Sequence, residues 1–339
     1  MNLYVHFPFC RRKCTYCALY SRTGTSEAER SEYVSRLASS LPCALGAQAL
    51  KTVYFGGGSP ALCDLRPLFG ALEGRLAPDC EFTVELHPLD VTQETLSTLA
   101  SGGVNRVSMG VQSLDDGVLK RMGRGYTADE AERAFALVKH RFANAGIDLI
   151  AGYPGEKSDV GRLASWGIKH CSVYSLILEE GTALSKLVAN GRVALPDDDE
   201  TLDEIAAISS ALAAMGLERY EISNYALPGC ECRHNMAVWR GEDYIGLGAG
   251  AHGRVGRTRT FVASSLETET STLTPEEDAL ERALFSLRTR EGLDSSAHPE
   301  WREKLDYFVS QSLLTQSGGR YILTPRGTEV CDSILAELL

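Results

Sequence analysis

Short apolar runs alternate with longer amphipathic stretches along the first half of the chain. Each run is too short for a helix and is bounded by Gly, Pro or Asn, and the six runs lie at 3–7, 52–56, 82–86, 104–111, 147–151 and 171–178. Two of the intervening stretches begin with a capping box, Ser26 with Glu29 and Thr127 with Glu130. Strands that alternate with helices form parallel βαβ units. The pattern therefore predicts an α/β fold with a partial (β/α)6 barrel over residues 1–180.

The second half of the chain has a different organisation. We predict an extension of the barrel over 181–263 and a linker at 264–274, where Ser, Thr and Glu dominate. Residues 274–277 combine an N-cap threonine, a proline at the first helical position and a glutamate at the third. They predict the start of a small C-terminal helical domain over 275–339. A strand at 320–323, followed by a last helix, makes that domain winged-helix-like.

Composition and charge argue against a nucleic-acid-binding protein and against a membrane protein. The chain has 34 basic and 45 acidic residues, a net charge of -11, and no basic stripe, so we expect no binding to nucleic acid. No apolar stretch reaches the ~18 residues of a membrane span, and the N-terminus lacks the features of a signal peptide. We expect a cytoplasmic protein, in which the ten cysteines are metal ligands or buried thiols rather than disulfides.

Three cysteines follow the first apolar run directly. Cys10, Cys14 and Cys17 have the spacing C-x3-C-x2-C. Iron–sulfur cubes are normally held by four cysteine thiolates. Three thiolates on one short loop hold three irons of a [4Fe–4S] cluster and leave the fourth iron to another ligand.

Glycines and polar residues follow the next strands. A turn rich in glycine, residues 56–59, ends the second run, and glycine lets a backbone approach a ligand closely. Glu85 ends the third run, Gln112 ends the fourth, and Asp148 lies in the fifth. Because barrel folds place their sites at the carboxyl ends of the strands, these residues predict a ligand site there.

A further group of residues of metal-ligating types lies in the second half of the chain. Cys230, Cys232 and His234 are spaced C-x-C-x-H, which falls short of the four ligands of a zinc site. A single histidine beside aromatic residues is usually structural, but imidazole is also an axial ligand of heme iron. Both readings of His234 stay open on spacing alone.

Taken together, the motifs resemble the coproporphyrinogen oxidase-like branch of the radical SAM proteins, and within it the heme chaperones. The resemblance covers essentially the whole chain and rests on residues 4–10, 55–60, 107–113, 148–155, 220–225, 232–235 and 246–252. It implies a [4Fe–4S] cluster on the three cysteines and S-adenosylmethionine (SAM) at the open iron. The implied SAM contacts are Tyr4, Tyr16, Gly57, Gly58, Ser59, Glu85, Gln112, Arg124, Asp148, Ser175 and His252.

Two features of the resemblance favour a chaperone over an oxidase. The oxidases carry a further cysteine two residues after the third, where this chain has Leu19. They also have an N-terminal extension, whereas this sequence starts at its first strand. The heme-associated motif H-N-x-x-Y-W of the chaperones matches His234, Asn235 and Trp239, with Val238 in the tyrosine position. The resemblance thus implies that the chain binds heme, or a related porphyrin, as cargo.

The expected partners follow from that function. They are a heme-acceptor protein and an electron-donor protein for the cluster, and we expect any membrane contact to be peripheral and to come through the acceptor. Three alternatives remain. They are an oxygen-independent coproporphyrinogen III dehydrogenase, a non-catalytic barrel whose cluster has only a structural role, and a radical SAM enzyme that opens or methylates heme.

Overall fold

The computed structural model describes residues 1–157 and 159–339, and over these residues twelve strands form one large sheet and three form a small one. The large sheet comprises β1 (Asn2–Phe7), β2 (Leu50–Gly57), β3 (Leu76–Leu86), β4 (Arg106–Gln112), β5 (Asn144–Ala151), β6 (His170–Ser175), β7 (Glu218–Glu221), β8 (Asn224–Ala226), β9 (Tyr244–Leu247), β10 (His252–Val255), β11 (Thr258–Val262) and β12 (Thr268–Thr272). The small sheet comprises β13 (Leu293–Asp294), β14 (Leu314–Ser317) and β15 (Arg320–Leu323).

Helices connect most of the strands of the large sheet and form most of the C-terminal unit. They are α1 (Glu27–Leu45), α2 (Arg66–Leu72), α3 (Gln93–Ser101), α4 (Asp116–Met122), α5 (Ala128–Arg141), α6 (Leu163–Trp166), α7 (Ala183–Ala189), α8 (Asp198–Ala214), α9 (Arg233–Trp239), α10 (Pro275–Leu287), α11 (Arg302–Ser310), α12 (Pro325–Glu329) and α13 (Cys331–Leu338). Short 3-10 helices lie at Pro60–Leu62, Pro88–Asp90, Val160–Arg162, Ser295–Ala297 and Pro299–Trp301. No helix in the described part of the chain combines the length and the apolar character that crossing a membrane requires.

The first six strands pair in chain order and run parallel, as the alternating pattern predicts. On one side β9 adds a seventh parallel strand beside β1, and β10, β11 and β12 continue the sheet antiparallel. On the other side β8 and β7 continue from β6, also antiparallel. Over the described residues the sheet runs open from β12 to β7. The predicted α/β class with a partial barrel is confirmed.

The two faces of the parallel strands differ in polarity, because successive side chains of a strand point to opposite faces. Val53 and Phe55 of β2 lie in the main apolar core, which the helices cover. Thr52 and Tyr54 alternate with them and bond polar groups on the opposite face instead. The inner face of the barrel is therefore lined with hydrogen-bonding groups.

The segment 264–274 differs from the expected linker. Thr268–Thr272 forms β12, which pairs antiparallel with β11 although all five of its side chains are exposed. The polar composition suggested a linker, but β-branched threonines also suit the edge of a sheet.

The C-terminal unit has its own apolar core. Leu287, Leu293, Trp301, Leu305 and Ile334 contribute to it. Helices α10 to α13 and the small sheet surround this core, which is the winged-helix-like combination expected from the sequence. The exact domain boundaries stay a prediction.

Candidate cofactor site

The cysteine loop is closed at its ends and is anchored to neighbouring helices at its middle. At its start, the Cys10 amide donates to the carbonyl of Arg22 at 2.9 Å, so the loop closes on itself. At its middle, the Thr15 amide donates to the Met122 carbonyl at 3.0 Å, and the Leu184 amide donates to the Thr15 carbonyl at 2.8 Å. The loop is thus held by the end of α4 and by the start of α7.

The glycine-rich turn after β2 packs directly under the first cysteine. The amides of Gly58 and Ser59 donate to the carbonyls of Phe7 and Phe9, each at 2.7 Å. A Cβ atom at Gly58 would lie 2.5 Å from the Phe9 carbonyl oxygen and 2.9 Å from the Cys10 sulfur. Only glycine fits between this backbone and the thiol, which gives the turn a specific reason to lack a side chain.

The three thiols of the loop are half-buried and influence one another. Burial, and then the neighbouring Cys14 and Cys17 thiols, raise the pKa of Cys10, and burial also raises the pKa of Cys17. Across residues 1–157 and 159–339, no three His, Cys, Asp or Glu side chains converge on a point that would hold a single metal ion. A [4Fe–4S] cube does not need such convergence, because each cysteine binds a different iron. The loop therefore fits a cluster.

Arg124 connects the cysteine loop to the end of β4. Its Nη1 donates to the Cys14 sulfur at 3.3 Å, its Nη2 to the Gly110 carbonyl at 2.6 Å, and its Nε to the Tyr126 hydroxyl at 2.9 Å. A half-buried guanidinium beside a thiolate offsets negative charge on the sulfur. Only the family resemblance predicted this residue.

Glu85 lies at the end of β3 on the inner face of the barrel. The Tyr54 hydroxyl donates to its Oε1 at 2.8 Å, and the Gly57 amide donates to its Oε2 at 3.2 Å. Burial, and then the charge of Asp148, raise the pKa of Glu85 to about 7. A cationic group bound here would favour the ionised carboxylate.

Asp148 lies two strands away from Glu85 and also faces inward. The hydroxyls of Ser108 and Ser172 both donate to its Oδ1, at 2.9 and 2.7 Å. Both bonds use the same oxygen, so Oδ2 is the atom that a ligand hydroxyl would reach.

Gln112 has a strained backbone at the end of β4. Its φ is 74°, in the left-handed region that residues other than glycine rarely adopt. The strand pairing with β5 shifts register between Gly110 and Gln112. The resulting bulge brings the Gln112 amide back over Gly110, where a Cβ atom would lie 2.8 Å from Nε2. Such strain is typical of ligand sites.

The remaining predicted residues near the loop make mostly structural contacts. The Tyr4 hydroxyl lies 3.0 Å from Nδ1 of His6, whose Nε2 donates to the Tyr20 carbonyl at 3.0 Å. The Ser59 hydroxyl donates to the buried Asp90. Tyr16 packs edge-on against the ring of Tyr153, with the ring centroids 6.4 Å apart.

Sequence reasoning missed His6, Tyr54 and Asp90 as supports of this site. For His6 and Tyr54, the sequence does contain an indication. His6 and Tyr54 occupy inward positions of β1 and β2, which the period of two along a strand indicates. Asp90 lies in a 3-10 turn after β3, and nothing local marks its contact with Ser59.

Ser175 and His252 lie on opposite flanks of the parallel strands. Ser175 is the exposed last residue of β6, and His252 is the exposed first residue of β10. The strand order places β10 two strands beyond β1 on one side and β6 five strands beyond it on the other. The His252 ring packs against Phe261, with the ring centroids 4.9 Å apart.

The heme-associated motif lies on α9, and its two ends have different surroundings. His234 is buried, and its Nδ1 forms a hydrogen bond of 2.8 Å with the Thr52 hydroxyl. Burial lowers the pKa of His234 to about 3, so its ring is neutral. Trp239 instead packs edge-on against Phe285 of α10 at 5.4 Å. Asn235 lies on the same helix, and the His234 and Trp239 side chains have different neighbours.

Glu81 fixes the start of α9, which sequence reasoning did not foresee. Its carboxylate accepts hydrogen bonds from the backbone amides of Arg233 and His234, at 3.0 and 3.1 Å. The Cys232 thiol is buried and donates to the same carboxylate at 3.6 Å. These contacts tie Cys232 and His234 into the barrel wall, where they serve packing rather than a zinc site.

Comparison with known proteins places these features in a family. The model of the radical SAM superfamily matches residues 4–166. The heme chaperone HemW of Mycobacterium tuberculosis strain H37Rv is 34% identical, with 100% of this chain and 94% of the relative covered. HemW of Bacillus subtilis is 32% identical, with 99% and 100% covered, and HemW of Escherichia coli K12 is 31% identical, with 99% and 97% covered.

A solved structure of coproporphyrinogen III oxidase (HemN) from Escherichia coli has the same overall fold. The superposition has a TM-score of 0.82 at 19% sequence identity and covers 99% of this chain and 89% of the oxidase. At that identity the likeness extends to the fold alone.

Proposed function

The chain belongs to the heme chaperone HemW family of radical SAM proteins, and on that premise we propose that it binds heme and delivers it to an acceptor protein. Membership of the superfamily implies a [4Fe–4S] cluster and SAM. The proposal about the cargo is supported by full-length similarity to relatives that are named heme chaperones.

We assign the cluster to Cys10, Cys14 and Cys17. The support is the anchored loop, with Arg124 bonded to Cys14 and a glycine turn that leaves room for the Cys10 sulfur. When bound and reduced, such a cluster supplies one electron to SAM. The protein's own contribution is to hold the three sulfurs and to balance their negative charge.

We assign SAM to the inner face of the barrel beside the loop. Glu85 would pair with the ammonium group of SAM, since burial and then the charge of Asp148 raise the pKa of this carboxylate to about 7 and a cation beside it would favour the ionised form. Asp148 would accept a hydrogen bond from a ligand hydroxyl through Oδ2, because Ser108 and Ser172 both bond Oδ1. Gln112 lies between them on β4, held over Gly110 by the bulge.

A reconstitution experiment tests the cluster assignment. Anaerobically reconstituted protein should hold about four irons per chain and show the brown colour of a [4Fe–4S] centre. Cys10→Ala, Cys14→Ala and Cys17→Ala should each lose both, whereas Cys43→Ala, at an exposed cysteine of α1, should keep both. A protein that binds zinc and stays colourless would contradict the assignment.

The second candidate function is oxidation of coproporphyrinogen, which the shared fold with the oxidase makes the natural competitor. Leu19 stands where the oxidase branch has a further cysteine, and this favours the chaperone. The two functions differ in their product. A dehydrogenase would release protoporphyrinogen and carbon dioxide, whereas a chaperone would release unchanged heme to its acceptor.

A further inference from the structure

We infer that the heme iron is bound by His252 on an exposed surface beside the cysteine loop, a refinement that rests on the heme-binding function proposed above. The surface is formed by Leu19, Tyr20, His252 and Phe261, and we call it the His252 face. Four observations support this inference. The apolar side chains of the face are exposed, the two segments that form it lie against each other, the His252 ring has no hydrogen-bond partner among the described residues, and Lys13 places a positive charge at the edge.

The His252 face exposes large apolar side chains. Leu19 is 55% exposed, Tyr20 38% and Phe261 36%. Apolar groups that cluster on a surface mark sites of interaction. A heme macrocycle is flat and apolar on both sides, so a shallow surface of this kind can cover one of its faces.

The parts of this face come from two distant segments that meet. His252 and Phe261 are paired across β10 and β11, and their rings are in contact. Tyr20 lies over the turn that leads into β10, because a Cβ atom at Gly250 would be 3.2 Å from the Tyr20 Cβ. The His6 bond to the Tyr20 carbonyl fixes this arrangement.

The imidazole of the exposed His252 is available for iron, unlike that of the buried His234. In the part of the chain that the structure describes, no hydrogen bond or ion pair engages the ring nitrogens of His252. His234 is buried, bonded through Nδ1 to Thr52, and its ring lies 5.2 Å from that of Tyr54. Axial ligation requires a ring nitrogen with room for the macrocycle around it. His252 is exposed at the start of β10, so its ring can be reached from solvent.

Lys13 supplies charge of the right sign at the edge of the face. Its ammonium donates to the Leu19 carbonyl at 2.6 Å and to the Ser21 hydroxyl at 2.7 Å. Among the described ion pairs none includes Lys13, although the chain as a whole carries a net charge of -11. A cation without a carboxylate partner, next to an apolar face, suits the propionate groups of heme.

The His252 face lies next to the cysteine loop, so heme bound there would be close to the cluster. Leu19 lies two residues after Cys17, and Lys13 lies immediately before Cys14. Heme on the His252 face would therefore contact the loop that holds the cluster. Loss of the cluster should weaken heme binding through the same residues.

A heme titration of the reconstituted, full-length protein tests the inference. Ferric heme is added to the wild type, His252→Ala and His140→Ala, and the Soret band and the ferric electron paramagnetic resonance spectrum are recorded. His140 is an exposed histidine of α5 and serves as the matched control. We expect His252→Ala to bind at least about tenfold more weakly, the cost of about 1.4 kcal/mol, and His140→Ala to bind as the wild type does.

A ligand exchange separates coordination from packing. His252→Met should retain heme but shift the Soret band, because a thioether replaces the imidazole. SAM affinity is measured in parallel, because the family resemblance also implies a SAM contact at His252. Loss of SAM binding with full retention of heme would return His252 to the SAM site and overturn the inference.

The remaining outcomes distinguish this inference from the function on which it rests. If the wild type binds no heme, the proposed chaperone function itself fails. If the wild type binds heme, His252→Ala binds it equally well and His234→Ala loses it, the function stands and His252 is not the ligand.

Discussion

The Arg124 guanidinium donates a hydrogen bond to the Cys14 sulfur at 3.3 Å while it also bonds the Gly110 carbonyl at 2.6 Å. This one side chain, 110 residues from Cys14 along the chain, thereby joins the cysteine loop to the end of β4. The bulge that brings Gln112 inward lies at the same strand end. The sites proposed for the cluster and for SAM thus share a set of contacts.

Arg124→Ala should lower the amount of cluster that the protein retains. It removes the positive charge beside Cys14 and the bond to Gly110, so the loop loses both its charge balance and its anchor. Iron content and visible absorbance after anaerobic desalting measure the effect. Arg121→Ala is the control, since among the described residues the side chain of that arginine bonds only backbone carbonyls, at the surface. Equal cluster content in the two variants would contradict the role of Arg124.

Gly58→Ala should prevent cluster assembly. The new methyl group would lie 2.5 Å from the Phe9 carbonyl oxygen and 2.9 Å from the Cys10 sulfur, so the loop must move. Iron content and thermal unfolding report the two consequences. Gly70→Ala in α2 meets no atom within 4 Å and should keep the cluster, with stability raised by about 0.5–1 kcal/mol. A Gly58→Ala protein with full iron content would show that the loop tolerates a side chain.

Glu85 should make stability depend on pH in the ligand-free protein. Its pKa rises from 4.5 to about 7 on folding, because burial and Asp148 disfavour its charge. At low pH Glu85 is protonated in both the folded and the unfolded protein, so it does not lower the free energy of unfolding. As the pH rises through this interval the unfolded state ionises first, so the free energy of unfolding falls and then levels off above pH 7. Glu85→Gln should remove this decline in denaturant titrations at several pH values.

The same carboxyl should govern SAM binding. The affinity of the wild type for SAM should increase as the pH rises through about 7, because the ionised form of Glu85 pairs with the ammonium group. Glu85→Gln should bind SAM more weakly by about 1–3 kcal/mol, with no such rise and with an intact cluster. Calorimetric titration at pH 6 and pH 8 measures both. Unchanged affinity in the variant would remove Glu85 from the site.

His234→Ala should destabilise the fold. It deletes the hydrogen bond to Thr52 and leaves a hole in the buried inner face of the barrel. We expect a loss of about 1–3 kcal/mol in the free energy of unfolding, with His140→Ala unchanged. Denaturant unfolding followed by circular dichroism provides the measurement. A His234→Ala protein as stable as the control would mean that the Thr52 contact contributes nothing.

The local parts of the fold could be predicted from the sequence. The six parallel strands follow from short apolar runs, and the capping boxes at Ser26, Thr127 and Thr274 form as their spacing indicates. Both depend on residues a few positions apart. The strand within 264–274 was missed because its side chains are exposed, so that only the pairing of its backbone with β11 reveals it.

The long-range parts of the site could not be predicted in this way. Contacts such as Arg124 to Cys14 and Glu81 to the start of α9 join residues more than 100 positions apart, and no local pattern encodes them. In the heme-associated motif, by contrast, residues that are close in sequence have different surroundings. His234 and Trp239 are close in sequence, but positions five apart on a helix are rotated by about 140°. They accordingly meet different neighbours.

The most direct test of the account is one assay of the reconstituted protein with two porphyrins. Protein with cluster, SAM and a reductant is given either ferric heme or coproporphyrinogen, and products are separated by chromatography. We predict that heme binds with a Soret band and passes unchanged to an apo-protein acceptor, while coproporphyrinogen is recovered intact. Formation of protoporphyrinogen, with no heme bound, would contradict the account and identify the chain as a coproporphyrinogen dehydrogenase.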